Sequence, residues 1–147
     1  MTTEETFRIL IVDDEPFMRR TIRAMLRRIG CPFVAEATDG ETALALINDE
    51  KPDVVLCDLA MKPMGGLEFV RRLRGGADPT LRDLPVIMLT STADPSAVQA
   101  SAKAGISGYL VKPVSPKQLA DRLDRIFKGK RLPDGTVPSI ASSGHFC

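Results

Sequence analysis

Two kinds of segment alternate along this chain. Five short apolar runs, at residues 7–12, 33–37, 53–58, 85–90 and 108–111, are separated by longer stretches in which apolar residues recur three or four positions apart. Short runs rich in Val, Ile and Leu, with little polar alternation, suit strands buried on both faces, as in a parallel sheet. Recurrence at three and four suits amphipathic helices. The sharpest run is Val54-Val-Leu-Cys57, which ends abruptly on the carboxylate of Asp58.

The intervening stretches read as helices with recognisable ends. Pro16 suits a first helical turn, Met18, Ile22, Met25, Leu26 and Ile29 form an apolar stripe, and Gly30 ends the segment. Its opposite face carries Arg19, Arg20, Arg23, Arg27 and Arg28 and reads as solvated. A second helix is predicted from Thr38-Asp39-Gly40 to about Asn48, with Leu44 and Ile47 inward, and Lys51-Pro52 breaks it. Residues 59–66 form a Pro/Gly loop, and Leu67, Val70 and Leu73 mark a third helix. Residues 75–84 read as a polar connection with two glycines and Pro79.

Asp94-Pro95 predicts a helix start with Asp as the cap. That helix is mainly alanine plus Val98, so it is expected to be weakly anchored, and Gly105 ends it. Ser115-Pro-Lys-Gln118 is a capping box ahead of Leu119, Leu123, Ile126 and Phe127. Residues 129–147 are expected to be a flexible tail without an output domain, leaving 1–128 as the folded domain. Strands alternating with helices imply an α/β domain with helices on both faces of a parallel sheet, doubly wound because crossovers are right-handed.

Composition adds few constraints. The 147 residues are 44% hydrophobic and 27% charged with a net charge of +1, ordinary for a soluble domain and without an overall electrostatic case for nucleic acid or membrane. The polar, acidic start is unlike a signal peptide, and no apolar run approaches the roughly 18 residues of a spanning helix, so a cytoplasmic location is expected. Cys31, Cys57 and Cys147 have no paired spacing, which argues against disulfides or zinc, and Cys57 reads as a small core filler. His145 in the tail reads as inert.

The candidate chemistry lies where the strands end. Open α/β sheets bind ligands beyond their C-terminal strand ends. Four of the five runs end there on a capable group: Asp13-Asp14, Asp58, Thr90 and Lys112. Three converging carboxylates stay ionised together only if a cation compensates. An all-oxygen set with open positions suits Mg²⁺, Lys112 adds a fixed positive charge, and the Thr90 hydroxyl can hydrogen-bond an oxyanion. Together they form a cradle for a phosphoryl group on an Asp nucleophile.

The order of Ile9-Leu-Ile-Val-Asp-Asp14, Val55-Leu-Cys-Asp58, Met61-Lys-Pro-Met-Gly-Gly66, Pro85-Val-Ile-Met-Leu-Thr90 and Tyr109-Leu-Val-Lys-Pro113 closely resembles the receiver domains of two-component signalling, the CheY-like family. The resemblance spans about residues 7–128. It implies a flavodoxin-like (βα)5 fold with strand order 2-1-3-4-5. It implies that Asp58 accepts a phosphoryl group from a phosphohistidine of a sensor kinase or phosphotransfer protein. It further implies Mg²⁺ held by Asp14, Asp58 and the backbone carbonyl of Ala60, with Asp13 acting through water.

By the same resemblance Lys112 contacts the phosphoryl group, the Lys112-Pro113 bond is cis, and Thr90 and Tyr109 act as the switch. The helix at 95–104, the last strand and the last helix would form the face that changes, and the first helix the face that meets the phosphodonor. The chain departs from the family pattern at Lys62, which separates Met61 from Pro63, and at Gly65, where Asp or Asn is usual. Ala60 and Thr92 occupy positions that tune dephosphorylation, and a small Ala60 leaves water a clearer path to a short-lived phosphoryl group.

Three readings compete on function. The first is a stand-alone switch that binds an effector protein and turns over no external substrate, with a monomer or a phosphorylation-dependent dimer as its assembly. The second is a phosphorelay intermediate or phosphate sink. The third, an Mg²⁺ phosphatase with an Asp-x-Asp nucleophile after its first strand, fits poorly because Asp13 and Asp14 are adjacent. No Gly-rich nucleotide loop follows the first strand, and nothing in the tail has helical periodicity for DNA binding.

Overall fold

The computed structural model describes residues 8–31, 34–61, 64–76, 78–91 and 94–127. The order of elements is β1 (Ile9–Val12), α1 (Pro16–Arg28), β2 (Val34–Ala37), α2 (Gly40–Glu50), β3 (Val54–Asp58), α3 (Gly66–Arg74), α4 (Pro79–Arg82), β4 (Val86–Thr90), α5 (Pro95–Ala104), β5 (Gly108–Val111) and α6 (Pro116–Phe127). All strand pairs are parallel, and the sheet runs β2-β1-β3-β4-β5, the expected order. Expectations for Phe7, Phe33, Lys62-Pro63, Thr92 and the 129–147 tail, with its His145 and Cys147, lie outside the described residues.

Successive strand residues point to opposite faces, so one strand serves two cores. Ile9, Ile11, Val54, Leu56, Ile87 and Leu89 pack with Ile22 and Leu26 of α1 and Leu119 and Leu123 of α6. Leu10, Val12, Val55, Cys57, Val86 and Met88 pack with Ala43 and Ile47 of α2 and Phe69, Val70 and Leu73 of α3. The central strands β1, β3 and β4 are buried at every position, which is why they lack a polar alternation. Cys57 sits fully inside the second core, and burial pushes its thiol up. Burial likewise pushes Cys31 up to about 12, which leaves both thiols inert fillers.

Helix ends follow the local chemistry. Asp39 caps α2 by accepting from the Thr42 amide at 2.8 Å. The capping box of α6 is complete: the Gln118 amide donates to Ser115 Oγ at 3.1 Å and the Ser115 amide to Gln118 Oε1 at 2.9 Å. Gly30 and Gly105 take the left-handed conformation, each with φ +98°.

Three expectations need correction. The 75–84 connection is not wholly irregular: α4 forms one turn, with the Leu81 and Arg82 amides bonded to the Asp78 carbonyl. Gly75, Gly76 and Pro79 read as loop because a single turn is too short to show helical periodicity. Asp94 stands at the N-cap of α5 without capping it, and its carboxylate accepts from Ser96 Oγ at 3.3 Å. The arginine face of α1 is not uniformly solvated, because Arg19 and Arg23 both bind Glu36 of β2, at 2.9 and 2.7 Å. The alanine-rich α5 buries only Ser101, as its composition suggested.

Candidate functional site

The C-terminal edge of the sheet gathers the charged residues. Asp13 follows β1, Asp58 ends β3, Thr90 ends β4 and Lys112 follows β5. Asp13, Asp58 and Thr90 are 1%, 7% and 2% exposed, whereas Asp14 is open to solvent. One carboxylate oxygen from each of Asp13, Asp14 and Asp58 lies within 4.8 Å of the others. Two buried carboxylates and one exposed one form an all-oxygen donor set with an open side, which fits a hard divalent cation such as Mg²⁺.

Lys112 bridges this cluster. Its Nζ lies 3.1 Å from Asp58 Oδ1 and 3.4 Å from Asp13 Oδ2. Burial disfavours the ammonium ion, but the hydrogen bond and charge of Asp58, with those of Asp13, outweigh it and hold the Lys112 pKa above its ordinary value. For Asp13, burial and the neighbouring Asp58 charge push the pKa up, against the Glu15 amide and Lys112. The Lys112-Pro113 peptide bond is cis. The Lys112 amide donates to the Thr90 carbonyl at 2.6 Å, tying the ends of β4 and β5 together.

The cluster is positioned by contacts that sequence reasoning missed. Asp13 Oδ1 accepts from the Glu15 amide at 2.9 Å, and the Asp13 amide donates to the Ala37 carbonyl at 3.1 Å. Arg19 Nη1 donates to the Asp13 carbonyl at 2.7 Å. Arg19 and Arg23, one turn apart, with a single carboxylate at Glu36 in the edge strand, were a readable hint of this clamp. On the Asp58 side, the Leu59 amide bonds the Leu89 carbonyl, and the Gly66 amide bonds the Leu59 carbonyl. A Cβ on Gly66 would run into the Asp58 carbonyl, Met88 Sδ and Leu59 Cα, so α3 starts against β3 only because residue 66 is glycine.

The remaining expected residues are dispersed around this cluster. Ala60 lies exposed just past β3. Tyr109 is half-buried in β5, opposite Met88, and packs against the α2/α3 core rather than joining the carboxylates. Arg20, Arg27 and Arg28 are exposed on α1, and Phe17 at its start is 70% exposed. Among the described residues no helix is long and apolar enough to cross a membrane.

Comparison with known proteins places this arrangement in a family. Residues 9–124 match the response regulator receiver domain. Chemotaxis protein CheY of Pseudomonas aeruginosa is 40% identical over 121 residues, which cover 82% of this chain and 96% of that protein. CheY4 of Vibrio cholerae has a solved structure that superposes with a TM-score of 0.75 at 33% identity, covering 82% of this chain and 98% of that one. The receiver domain of a signal transduction histidine kinase from Syntrophus aciditrophicus superposes with a TM-score of 0.75 at 31% identity, covering 84% and 92%. The chain belongs to the response regulator receiver family, and its closely grouped Asp13, Asp14, Asp58 and Lys112 lie at the C-terminal edge of a CheY-like fold.

Proposed function

We propose that Asp58 is a reversible phosphoacceptor and that the chain works as a signalling switch through protein contacts. The observation that carries this reading is Lys112 Nζ, 3.1 Å from Asp58 Oδ1 beside two further carboxylates. A carboxylate oxygen of Asp58 attacks the phosphorus of a phosphohistidine in line. The P–N bond breaks, its electron pair returns to the imidazole, and an acyl phosphate remains on Asp58. Lys112 then moves its contact from the carboxylate to a phosphoryl oxygen, and the Thr90 hydroxyl donates to another. Water later attacks phosphorus, the P–O bond to Asp58 breaks, and inorganic phosphate leaves. The small side chain of Ala60 leaves that approach open.

Asp14, Asp58 and the Ala60 carbonyl would hold Mg²⁺, with Asp13 joining through water. When bound, Mg²⁺ supplies neutralisation of the negative charge that gathers on the phosphoryl oxygens. Tyr109 and Thr90 form the switch that reports to the α5–β5–α6 face. The exposed Phe17 and the exposed Arg20, Arg27 and Arg28 of α1 suit docking of a sensor kinase or phosphotransfer protein. Output is binding to an effector protein, as the likeness to chemotaxis CheY proteins supports.

Mg²⁺-dependent labelling by a small acyl phosphate, lost in Asp58→Asn, tests the reading. Absence of labelling with every divalent metal tried would sink it. A second reading is a phosphorelay intermediate or phosphate sink, favoured by the likeness to a receiver carried within a histidine kinase. Pulse-chase return of the label to a phosphotransfer histidine distinguishes it from the effector-binding switch.

A further inference from the structure

We propose that the groove between α3 and α5 docks an acidic peptide segment of a protein partner. The groove has a volume of about 450 Å³ and is lined by Arg71 and Arg74 of α3 and by Ser96, Gln99, Lys103 and two alanines of α5. Among the described residues no carboxylate lines it. Arg71 and Lys103 are exposed on opposite walls, and neither has an ion-pair partner among the described residues. Exposed cations elsewhere divide between paired ones, such as Arg72 with Glu68 and Glu41 and Lys117 with Asp121, and ones without an ion pair among the described residues, such as Arg20, Arg27 and Arg28.

Arg74 makes the third charge a fixed one. Its Nε and Nη2 donate to the Gly105 carbonyl at 3.0 and 2.7 Å, and its Nη1 to the Arg82 carbonyl at 2.8 Å. Basic residues in the last turns of α3 and α5 complement the helix dipoles. That accounts for their presence but not for their convergence on one groove free of carboxylates. The groove is open, and its lining includes three cations and two alanines. Such a shape suits an extended polyanion, whereas small-ligand sites enclose most of their ligand. Ser96 and Gln99 can hydrogen-bond a peptide backbone lying along α5.

The groove also bears on the proposed switch, and this part rests on that reading. Ser101, the single buried residue of α5, has an Oγ without a hydrogen-bond partner among the described residues, so α5 is anchored to the domain by little buried side-chain surface. A segment spanning both walls pins α5 against α3, and by reciprocity phosphorylation changes the affinity for it.

The test is a titration of the full-length, ¹⁵N-labelled, unphosphorylated chain with a short peptide of alternating Glu and Ala. Backbone shifts are expected to concentrate at Arg71, Ser96, Gln99 and Lys103, and binding to weaken about tenfold in R71E/K103E. K51E/R125E carries the same charge change at exposed residues that do not line the groove and is expected to leave binding intact. Equal weakening in both double variants, shifts centred on α1, or inorganic phosphate reproducing the shifts while the peptide gives none would each overturn the proposal. Acyl phosphate labelling of the same samples separates the two ideas: peptide binding without labelling removes the phosphoacceptor reading alone.

Discussion

Arg19 holds Asp13 by its backbone. The guanidinium donates to the Asp13 carbonyl at 2.7 Å while its Nε binds Glu36 of β2 at 2.9 Å, so the first acidic residue of the cluster is bolted to both α1 and the edge strand. Charge-assisted hydrogen bonds of this kind are among the stronger ones, about 1.5–3 kcal/mol each. Arg19→Met keeps the stem and removes the head. It is expected to lower stability by about 1–3 kcal/mol and to weaken Mg²⁺ binding, although Arg19 contacts Asp13 only at its backbone carbonyl and not at the carboxylate. Urea unfolding and an Mg²⁺ titration followed by backbone shifts of Asp13 and Asp58 check both effects, and unchanged metal affinity would reduce Arg19 to a packing role.

Lys112 and the proposed metal compete for the same carboxylates. Lys112→Met removes a positive charge from Asp58 and Asp13, so Mg²⁺ is expected to bind more tightly while labelling by an acyl phosphate slows by at least about tenfold. Opposite signs in binding and reactivity are the signature of a group that acts on the phosphoryl rather than on the metal. Calorimetric Mg²⁺ binding and a labelling time course supply the two readouts.

Glu36 provides a pH dependence away from the cluster. Hydrogen bonding from Arg23 lowers its pKa, burial opposes, and Arg19 adds to the lowering. A depressed carboxylate contributes stability that is fully present above its unfolded pKa, near the ordinary 4.5, and is lost as pH falls through the folded value. For this partly exposed side chain the contribution is at most about 1 kcal/mol. Glu36→Gln is therefore expected to lower the urea midpoint at pH 7, with a penalty that shrinks as pH falls below the unfolded pKa and through the depressed folded one. A Glu36→Gln penalty that does not shrink on acidification would contradict the assignment.

Gly66 is a steric requirement. Gly66→Ala drives a methyl into the Asp58 carbonyl and Met88 Sδ, both in the buried sheet. A cost of about 1–3 kcal/mol is expected from overpacking, together with slower labelling as the end of β3 shifts. Gly65→Ala meets only ordinary contacts, with the Leu59 carbonyl 3.4 Å away, and serves as the mild control when both variants are compared by urea unfolding.

The strands and the acidic edge were legible because both depend on local sequence. Val54 to Cys57 are buried on two faces and therefore uniformly apolar, and the residue that follows such a run must emerge at the sheet edge. That logic located Asp13, Asp58, Thr90 and Lys112. The Arg19 clamp was not legible in the same way, since it depends on how α1 is rotated over β2, which periodicity leaves open. Gly66 likewise looks like a turn residue in sequence, and only the approach of α3 to β3 shows what its missing side chain permits. The turn of α4 is too short for any pattern, and Asp94 in the cap position binds Ser96 instead of the helix amides.

The alternation that builds two cores also divides the site. Asp58 continues the side of Val54 and Leu56, which faces α1 and α6, while Thr90 continues the side of Val86 and Met88, which Tyr109 also joins. The sheet is thus a wall with Asp13, Asp58 and Lys112 above one room and the hydroxyl and the aromatic ring above the other. Under the proposed chemistry, an event at Asp58 reaches α5 only over the top of that wall, and the Lys112 amide bonded to the Thr90 carbonyl is the coping stone between the two sides.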